Sequence, residues 1–209
     1  MRRSPVIFID IDGCLADYVR GLTTALSKYQ ETPIVTTPEQ PTWDLTAEID
    51  ALEKYNPEYA RDYAFWYGLH ELIPQSVARQ IDLLTKAAIV YFVTSRPPLV
   101  AVHAATVDWL KGIGITNPMV VMTREKETFA ELVYATHILE DCVSQALAIQ
   151  ARCPTAMVRL LARPYNADLP YTIQYVHSVG GFLIEVVRSI QTPDKRGHTI
   201  TISPYGGNA

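Results

Sequence analysis

The sequence predicts an α/β fold built around a parallel sheet, because short apolar runs alternate along the chain with stretches of helical periodicity. The runs lack polar alternation, as is typical of strands that are covered on both faces. They occupy residues 6–9, 88–93, 119–122, 136–139 and 156–161. Helical patterns occupy residues 75–86, 99–111, 126–134 and 143–152. Ligands of such sheets bind beyond the carboxyl ends of the strands, so the polar residues directly after each run are the first candidates for a site.

One long interval breaks this alternation. The first strand ends near Asp12 and the second begins only near Ala88, which is too long for a simple crossover. The interval contains a helical pattern over residues 15–29, a Thr- and Pro-rich loop over 32–42 and a Tyr-rich helical region to about residue 67. We therefore predict a core domain of residues 1–14 and 75–191, a helical cap of residues 15–74 and a flexible tail of residues 192–209.

Aromatic side chains are concentrated in this predicted cap. The cap holds nine of the chain's 20 aromatic residues. They are Tyr18, Tyr29, Trp43, Tyr55, Tyr59, Tyr63, Phe65, Trp66 and Tyr67. Tyr55, Tyr59 and Tyr63 recur every four residues, which predicts a packing stripe on one helix. The other rings form either a stacking surface for a ligand or a small core within the cap.

Composition excludes several classes of protein. The 209 residues are 48% hydrophobic and 19% charged, as in an ordinary globular chain. A net charge of −4 argues against broad binding to a nucleic-acid backbone. The longest uncharged stretch is too short and too polar to span a membrane. Three cysteines without a CxxC pair indicate a reduced compartment, which predicts a cytoplasmic protein. The five scattered histidines are interpreted as structural, and neither GxGxxG nor a P-loop is present.

The strongest chemical signal is the sequence Asp10-Ile11-Asp12-Gly13 at the end of the first predicted strand. Both carboxylates can turn toward one ligand where the strand becomes a loop, and Gly13 allows close approach of the backbone. Two neighbouring acids are costly unless a cation neutralises them, and oxygen ligands suit a hard divalent ion. Taken alone, the pattern also fits a polar turn at a strand end.

Three further polar groups follow the next three predicted strands. They are Thr94-Ser95-Arg96-Pro97, Thr123-Arg124-Glu125-Lys126 and Glu140-Asp141. A hydroxyl pair before a helix can bind phosphate oxygens, and a lysine can offset the acids. Each group also has a simpler explanation as a helix cap or a solvated charge. Their succession at four strand ends has no such simple explanation.

The string FIDIDGCLADY resembles the first motif of the haloacid dehalogenase superfamily, hhhhDxDG. Together with Phe65-Trp66, TSRP, TREK and ILED, it is similar to the 5′(3′)-deoxyribonucleotidase group of that superfamily, over most of the chain to about Asn166. The resemblance implies a Rossmann-like three-layer α/β/α fold with a parallel sheet and an inserted helical cap. Glu140 departs from the group, whose members often have Asp there.

The resemblance also implies roles for individual residues. Asp10 would attack phosphorus, and Asp12 would act as general acid and base. Mg²⁺ would be bound by the Asp10 carboxylate, the Asp12 carbonyl and Asp141. The residues implied to bind substrate are Tyr18, Phe65 and Trp66 at the base, and Thr94, Ser95, Arg96 and Lys126 at the phosphate. The residues themselves leave open whether Arg96 reaches phosphate or braces its loop, and whether Glu140 orients the metal or Lys126.

The implied activity is a Mg²⁺-dependent 5′-nucleotidase that hydrolyses deoxynucleoside monophosphates. The partner is then a small nucleotide rather than a membrane or a nucleic-acid polymer, and a homodimer is compatible with the sequence. Alternatives are a phosphatase of the same chemistry that acts on another small substrate or on nucleic-acid ends, and a non-catalytic nucleotide-binding module.

Overall fold

The computed structural model describes residues 4–28, 46–166 and 172–191. The predicted loop 32–42, the tail 192–209, Tyr29 and Trp43 lie outside these residues. The strands of the described residues are β1 (Val6–Asp10), β2 (Ala16–Asp17), β3 (His70–Glu71), β4 (Ile89–Thr94), β5 (Met119–Met122), β6 (His137–Glu140), β7 (Met157–Leu161) and β8 (Gln174–Val176). The helices are α1 (Tyr18–Ser27), α2 (Thr46–Tyr55), α3 (Tyr63–Tyr67), α4 (Gln75–Leu84), α5 (Val100–Gly112), α6 (Lys126–Leu132), α7 (Val143–Arg152) and α8 (Val179–Gln191).

Six of the strands form one parallel sheet in the order β5-β4-β1-β6-β7-β8. The predicted parallel α/β fold is therefore confirmed, and the five predicted strands are present within one or two residues of their expected bounds. β1 lies at the centre, where Ile7, Phe8 and Ile9 are fully buried. A strand covered on both faces explains why its sequence is continuously apolar.

Helices cover both faces of the sheet and make three layers. Ile7 and Phe92 face one side, where they pack in a cluster with Ile81 of α4 and Phe182 of α8. Phe8 and residues of α6 and α7 belong to the cluster on the other side. Within the described residues, no helix is long and apolar enough to cross a bilayer.

The cap segment, defined here as residues 15–74, begins differently from the prediction. The helix expected from residue 15 starts at Tyr18, because Ala16 and Asp17 pair with β3 in a short antiparallel ladder. The Asp17 side chain then accepts a hydrogen bond from the Arg20 N–H, as an N-cap residue does. Described helices of this segment share a small apolar cluster around Leu22 and Leu52.

The predicted tyrosine stripe is wrong. Tyr55 ends α2, Tyr59 begins a 3₁₀ turn and Tyr63 begins α3, so the three rings belong to three separate elements. Pro57 follows α2 closely and lacks the N–H that a continuing helix requires. Only Tyr59 of the three is buried, whereas Tyr55 is 48% and Tyr63 39% exposed.

Two elements of the core escaped prediction. β8 extends the sheet by three residues, and α8 packs against α4 and the sheet. The Gly180-Gly181 pair in the first turn of α8 has low helix propensity and conceals its periodicity.

Candidate active site

The turn after β1 lies against the residues that follow β6. Asp10 is the last residue of β1, and Gly13 has a φ of +81°, a conformation that favours glycine. A Cβ on Gly13 would overlap the Asp141 carboxylate and lie 2.7 Å from the Tyr165 Oη. The glycine therefore allows two strand ends to approach as closely as a shared site requires.

Lys126 joins two buried acids at the centre of the site. Its Nζ donates to Asp10 Oδ1 and, over 2.9 Å, to Glu140 Oε2. All three side chains are at least 95% buried. Burial alone would lower the pKa of Lys126, but the charges of Asp10 and Glu140 outweigh it and raise that pKa well above its usual value. Lys126 therefore stays charged.

Asp141 adds a further buried carboxyl group to this cluster. Burial, with a second contribution from the charge of Glu140, raises the pKa of Asp141 to about 7. Burial and the neighbouring carboxylates also raise the pKa of Asp10 well above its usual value. Three carboxyl groups share one lysine, so the ionisation of all three is unfavourable unless a further cation is bound.

These donors fit a hard divalent cation. Oxygens of Asp10 and Asp141 lie within 4.8 Å of each other and of the Cys14 Sγ. Mg²⁺ prefers carboxylate and carbonyl oxygens, and the charge of a cation would stabilise the ionised forms of these carboxyl groups. The oxygen donors and their burial therefore fit the hard divalent cation that the sequence predicts, for which the resemblance implies Mg²⁺.

Asp12 is held by the last residue of β4 and by a residue just after it. The Arg96 guanidinium forms a fork on its carboxylate, with Nε 2.9 Å from Oδ2 and Nη2 2.7 Å from Oδ1. Thr94 Oγ1 lies 2.9 Å from the same Oδ2. Arg96 Nη1 also donates to Thr106 Oγ1 of α5 over 2.9 Å. The Arg96 guanidinium therefore braces the Asp12 carboxylate. Arg96 also lines a cavity above the carboxylates, and its contact with phosphate stays a prediction.

A cavity of about 400 Å³ opens above the carboxylates. Asp10, Asp12, Lys126 and Asp141 line one side of it. Ser95, which is exposed, lines it together with Arg124, which the prediction did not include among the site residues. Tyr18, Tyr59 and Trp66 contribute walls from the cap segment, and the cavity thus joins acidic, cationic and aromatic surfaces.

The predicted aromatic residues differ in their access to this cavity. Trp66 is only 3% exposed, lies parallel to the Tyr18 ring at 5.7 Å, and has the Arg96 Cζ 4.8 Å from its ring centroid. Its Nε1 donates to the Ala60 carbonyl over 3.0 Å. Phe65 meets Trp66 edge-on at 4.9 Å and is not part of the cavity wall. Trp66 is therefore packed on its neighbours, and Tyr18 is the more accessible ring.

Sequence reasoning missed a second group of site residues, after β7. Arg163 donates to the Gly13 carbonyl over 2.7 Å, the Tyr165 hydroxyl donates to the Asp141 carboxylate, and Asn166 donates to the Asp141 carbonyl over 2.8 Å. The signal was available, because 156–161 was a predicted strand and polar residues follow it. The residues after this fifth strand therefore point to the site on the same grounds as those after the other four.

Known structures share this architecture. A haloacid dehalogenase-like hydrolase from Burkholderia xenovorans matches with a TM-score of 0.57 and 12% identity, over 88% of this chain and 96% of that one. The chain has the haloacid dehalogenase-like fold. A HAD-hydrolase from Bacillus subtilis bound to magnesium has a TM-score of 0.55 and 16% identity, over 92% of this chain and all of that one. An L-2-haloacid dehalogenase has a TM-score of 0.53 and 14% identity, over 88% of this chain and all of that one.

The likeness lies in the fold and not in close sequence relatives. The sequence matches no protein-family model, and no curated protein matches it.

Proposed function

We propose that this chain is a Mg²⁺-dependent phosphatase of the haloacid dehalogenase superfamily that hydrolyses (deoxy)nucleoside 5′-monophosphates. The observation that carries the proposal is the buried cluster of Asp10, Lys126 and Asp141, with Asp12 beside it, at the base of a cavity walled by tyrosines. Phosphoryl transfer needs mainly positioning and charge stabilisation, and this cluster supplies both.

The reaction proceeds in two steps on this chain's own carboxylates. An Asp10 oxygen attacks phosphorus, so that an aspartyl-phosphate forms and the bond to the 5′-oxygen breaks, while Asp12 gives that oxygen a proton. Water then attacks phosphorus and loses its proton to Asp12, which releases phosphate and restores the Asp10 carboxylate. Lys126 and Ser95 bind phosphate oxygens, and Thr94 holds Asp12.

The metal would be held by the Asp10 and Asp141 carboxylates and by the backbone carbonyl of Asp12. Bound Mg²⁺ supplies positive charge that reduces the repulsion between an anionic phosphate and the attacking carboxylate. Glu140 remains bonded to Lys126, and the lysine is thereby kept in place beside Asp10.

The cavity wall supports a nucleotide as the substrate. The cavity has a volume of about 400 Å³, which is within the usual range for small-molecule sites. Aromatic side chains stack on bases with about 1–3 kcal/mol per base. Tyr18, which is partly exposed, supplies an aromatic ring at this wall. The acidic net charge of −4 favours a monomeric nucleotide over a polymer.

A panel of phosphate esters tests this function. Phosphate release is measured from nucleoside and deoxynucleoside monophosphates, a sugar phosphate and p-nitrophenyl phosphate, each with Mg²⁺ and with EDTA. We expect Mg²⁺-dependent release that is fastest with nucleotides and is abolished in Asp10→Asn. Faster turnover of the base-free esters would reassign the substrate class.

Two further measurements test the alternative functions. Chloride release from 2-chloropropionate tests the reaction named for one structural neighbour. Nucleotide binding without any phosphate release would identify a non-catalytic module instead.

A further inference from the structure

The residues after β7 form a loop that is bonded to both halves of the candidate metal site. This post-β7 loop, residues 163–166, includes the 3₁₀ turn Pro164–Asn166. Arg163 reaches the turn after β1, where its Nε donates to the Gly13 carbonyl over 2.7 Å and its Nη2 to the Cys14 carbonyl over 3.2 Å. The loop therefore fixes the backbone beside Asp12.

Asn166 fixes the same loop to the other half of the site. It is 1% exposed, and its Nδ2 donates to the Asp141 carbonyl over 2.8 Å and to the Leu161 carbonyl over 2.9 Å. Its Oδ1 accepts from the Arg163 N–H over 2.8 Å, which closes the loop on itself. The backbone of Asp141 and the position of Tyr165 are thus set by one bonded unit.

Tyr165 is the member of the loop that reaches the carboxylate itself. Its hydroxyl donates to Asp141 Oδ2, and Gly13 lies so close that a Cβ there would be 2.7 Å from the Tyr165 Oη. A carboxylate has about four lone-pair positions, so one hydrogen bond orients it and leaves acceptor capacity for a cation. A hydroxyl, unlike the Lys126 ammonium, orients the group without cancelling its charge.

We propose that Tyr165 is a positioning residue that holds the Asp141 carboxylate in its metal-binding orientation. The inference rests on the proposed metal site and adds a residue that the sequence resemblance does not supply. Partners that orient metal ligands typically change metal affinity by about 10–100-fold when they are removed. The loss of the Tyr165 hydroxyl therefore weakens metal binding and leaves the ligand set itself unchanged.

The test is a Mn²⁺ titration of the full chain, followed by electron paramagnetic resonance of the free ion and without any substrate. We expect Tyr165→Phe to raise the Mn²⁺ dissociation constant about 10–100-fold. The control is Tyr175→Phe, because the Tyr175 hydroxyl donates to the Asn166 carbonyl over 3.3 Å and so touches the same loop without reaching Asp141. Its Mn²⁺ affinity should match that of the unaltered protein.

A second variant separates positioning from general damage to the fold. If Tyr165 acts through the Asp141 carboxylate, adding Tyr165→Phe to Asp141→Asn causes no further loss of Mn²⁺ affinity. Melting curves in EDTA report the folding of each variant. Equal affinities for Tyr165→Phe and Tyr175→Phe, or a further loss in the double variant, would overturn the inference.

The outcome is independent of the phosphatase assay. If the unaltered protein binds Mn²⁺ and releases no phosphate, only the proposed function fails. If it releases phosphate and Tyr165→Phe binds Mn²⁺ normally, only the role of Tyr165 fails. If it binds no Mn²⁺, the metal site and this inference both fail.

Discussion

Asp12 has two partners in the structure that its proposed role did not require. Arg96 and Thr94 both bind its carboxylate, and the Arg96 side chain is 1% exposed. A planar guanidinium that bonds both oxygens fixes the plane of the carboxylate. The proposed general acid and base is therefore oriented before substrate arrives, and it is also part of the packing of the site.

Substitution of Asp12 separates these two contributions. Asp12→Asn removes the proton-transfer group, so phosphate release should fall to a trace, while Mn²⁺ affinity should persist because the backbone carbonyl remains. The buried Arg96 guanidinium loses its charged partner, and we expect a loss of about 1–3 kcal/mol in unfolding free energy. Urea unfolding and Mn²⁺ titration measure the two effects. A large loss of Mn²⁺ affinity in the folded variant would contradict the assigned ligand set.

Asp141 gives the metal-free protein a distinctive dependence on pH. Its pKa is about 7 in the folded chain and 3.8 as a free side chain, so the unfolded state releases this proton first. The stability that it contributes is present below pH 3.8 and is lost as the pH rises toward about 7. In EDTA, raising the pH over this range should therefore lower the melting temperature of the unaltered protein relative to that of Asp141→Asn.

Addition of metal should reverse this loss. A cation competes with the proton for Asp141, so Mg²⁺ should raise the melting temperature more at pH 8 than at pH 5. Equal gains at the two pH values would show that metal binding and this carboxyl group are not linked. The comparison needs only melting curves in Mg²⁺ and in EDTA.

At the scale of elements, the sequence was informative where a strand is long and covered on both faces. β1, β4 and β6 have continuous apolar sequences, and each ends at residues of the candidate site. Elements with a weak local signal were not predicted. β2 and β3 have two residues each and are held by pairing with each other. Their register depends on tertiary contact, which a single sequence does not display.

The candidate site could likewise be predicted only in part from the sequence. Asp10, Asp12, Lys126 and Asp141 were found because each follows a recognisable strand. The pairing of Arg96 with Asp12, and of Tyr165 with Asp141, depends on how neighbouring loops fold over the sheet edge. Side-chain direction in loops has no periodicity, so such partners are revealed only by the folded structure.

His137 joins β6 to α8 and gives a prediction outside the site. Its Nε2 lies 2.6 Å from Ser189 Oγ, and burial, with the charge of Arg159, lowers its pKa below 6.5. The unfolded chain therefore binds this proton first as the pH falls, and stability that is present above pH 6.5 is lost below it.

Replacement of this histidine should flatten that dependence. The unfolding free energy of the unaltered protein should drop more between pH 7.5 and pH 5.5 than that of His137→Gln. Urea unfolding in EDTA at the two pH values measures the difference. The acidic cluster is present in both proteins, so its opposite pH dependence cancels in the comparison. An identical change in unfolding free energy for the two proteins would mean that His137 does not contribute.

At the scale of the whole molecule, Trp66 lies where the cap segment meets the core. Its ring belongs to the main apolar cluster, lies parallel to Tyr18, and is covered by the Arg96 guanidinium that holds Asp12. The sequence left two roles open for this residue, a surface that stacks on a base or a member of the cap's own packing. A ring that is 97% buried favours a packing role, although in the main apolar cluster rather than in the cap's own. The ring also contacts the Arg96 guanidinium that binds the Asp12 carboxylate.

Trp66→Ala distinguishes these roles. Removal of a buried Trp costs about 3–5 kcal/mol of stability, so the melting temperature should fall. Because Arg96 and the cap segment lose a shared contact, turnover of a nucleotide and of p-nitrophenyl phosphate should fall by similar factors. Tyr67→Ala is the matched control, since Tyr67 is the next residue of α3 and is 49% exposed, and it should leave the melting temperature nearly unchanged. A stacking role predicts the reverse pattern: a loss of about 10–100-fold with nucleotides alone, corresponding to one base stack of ~1–3 kcal/mol, and an unaltered melting curve.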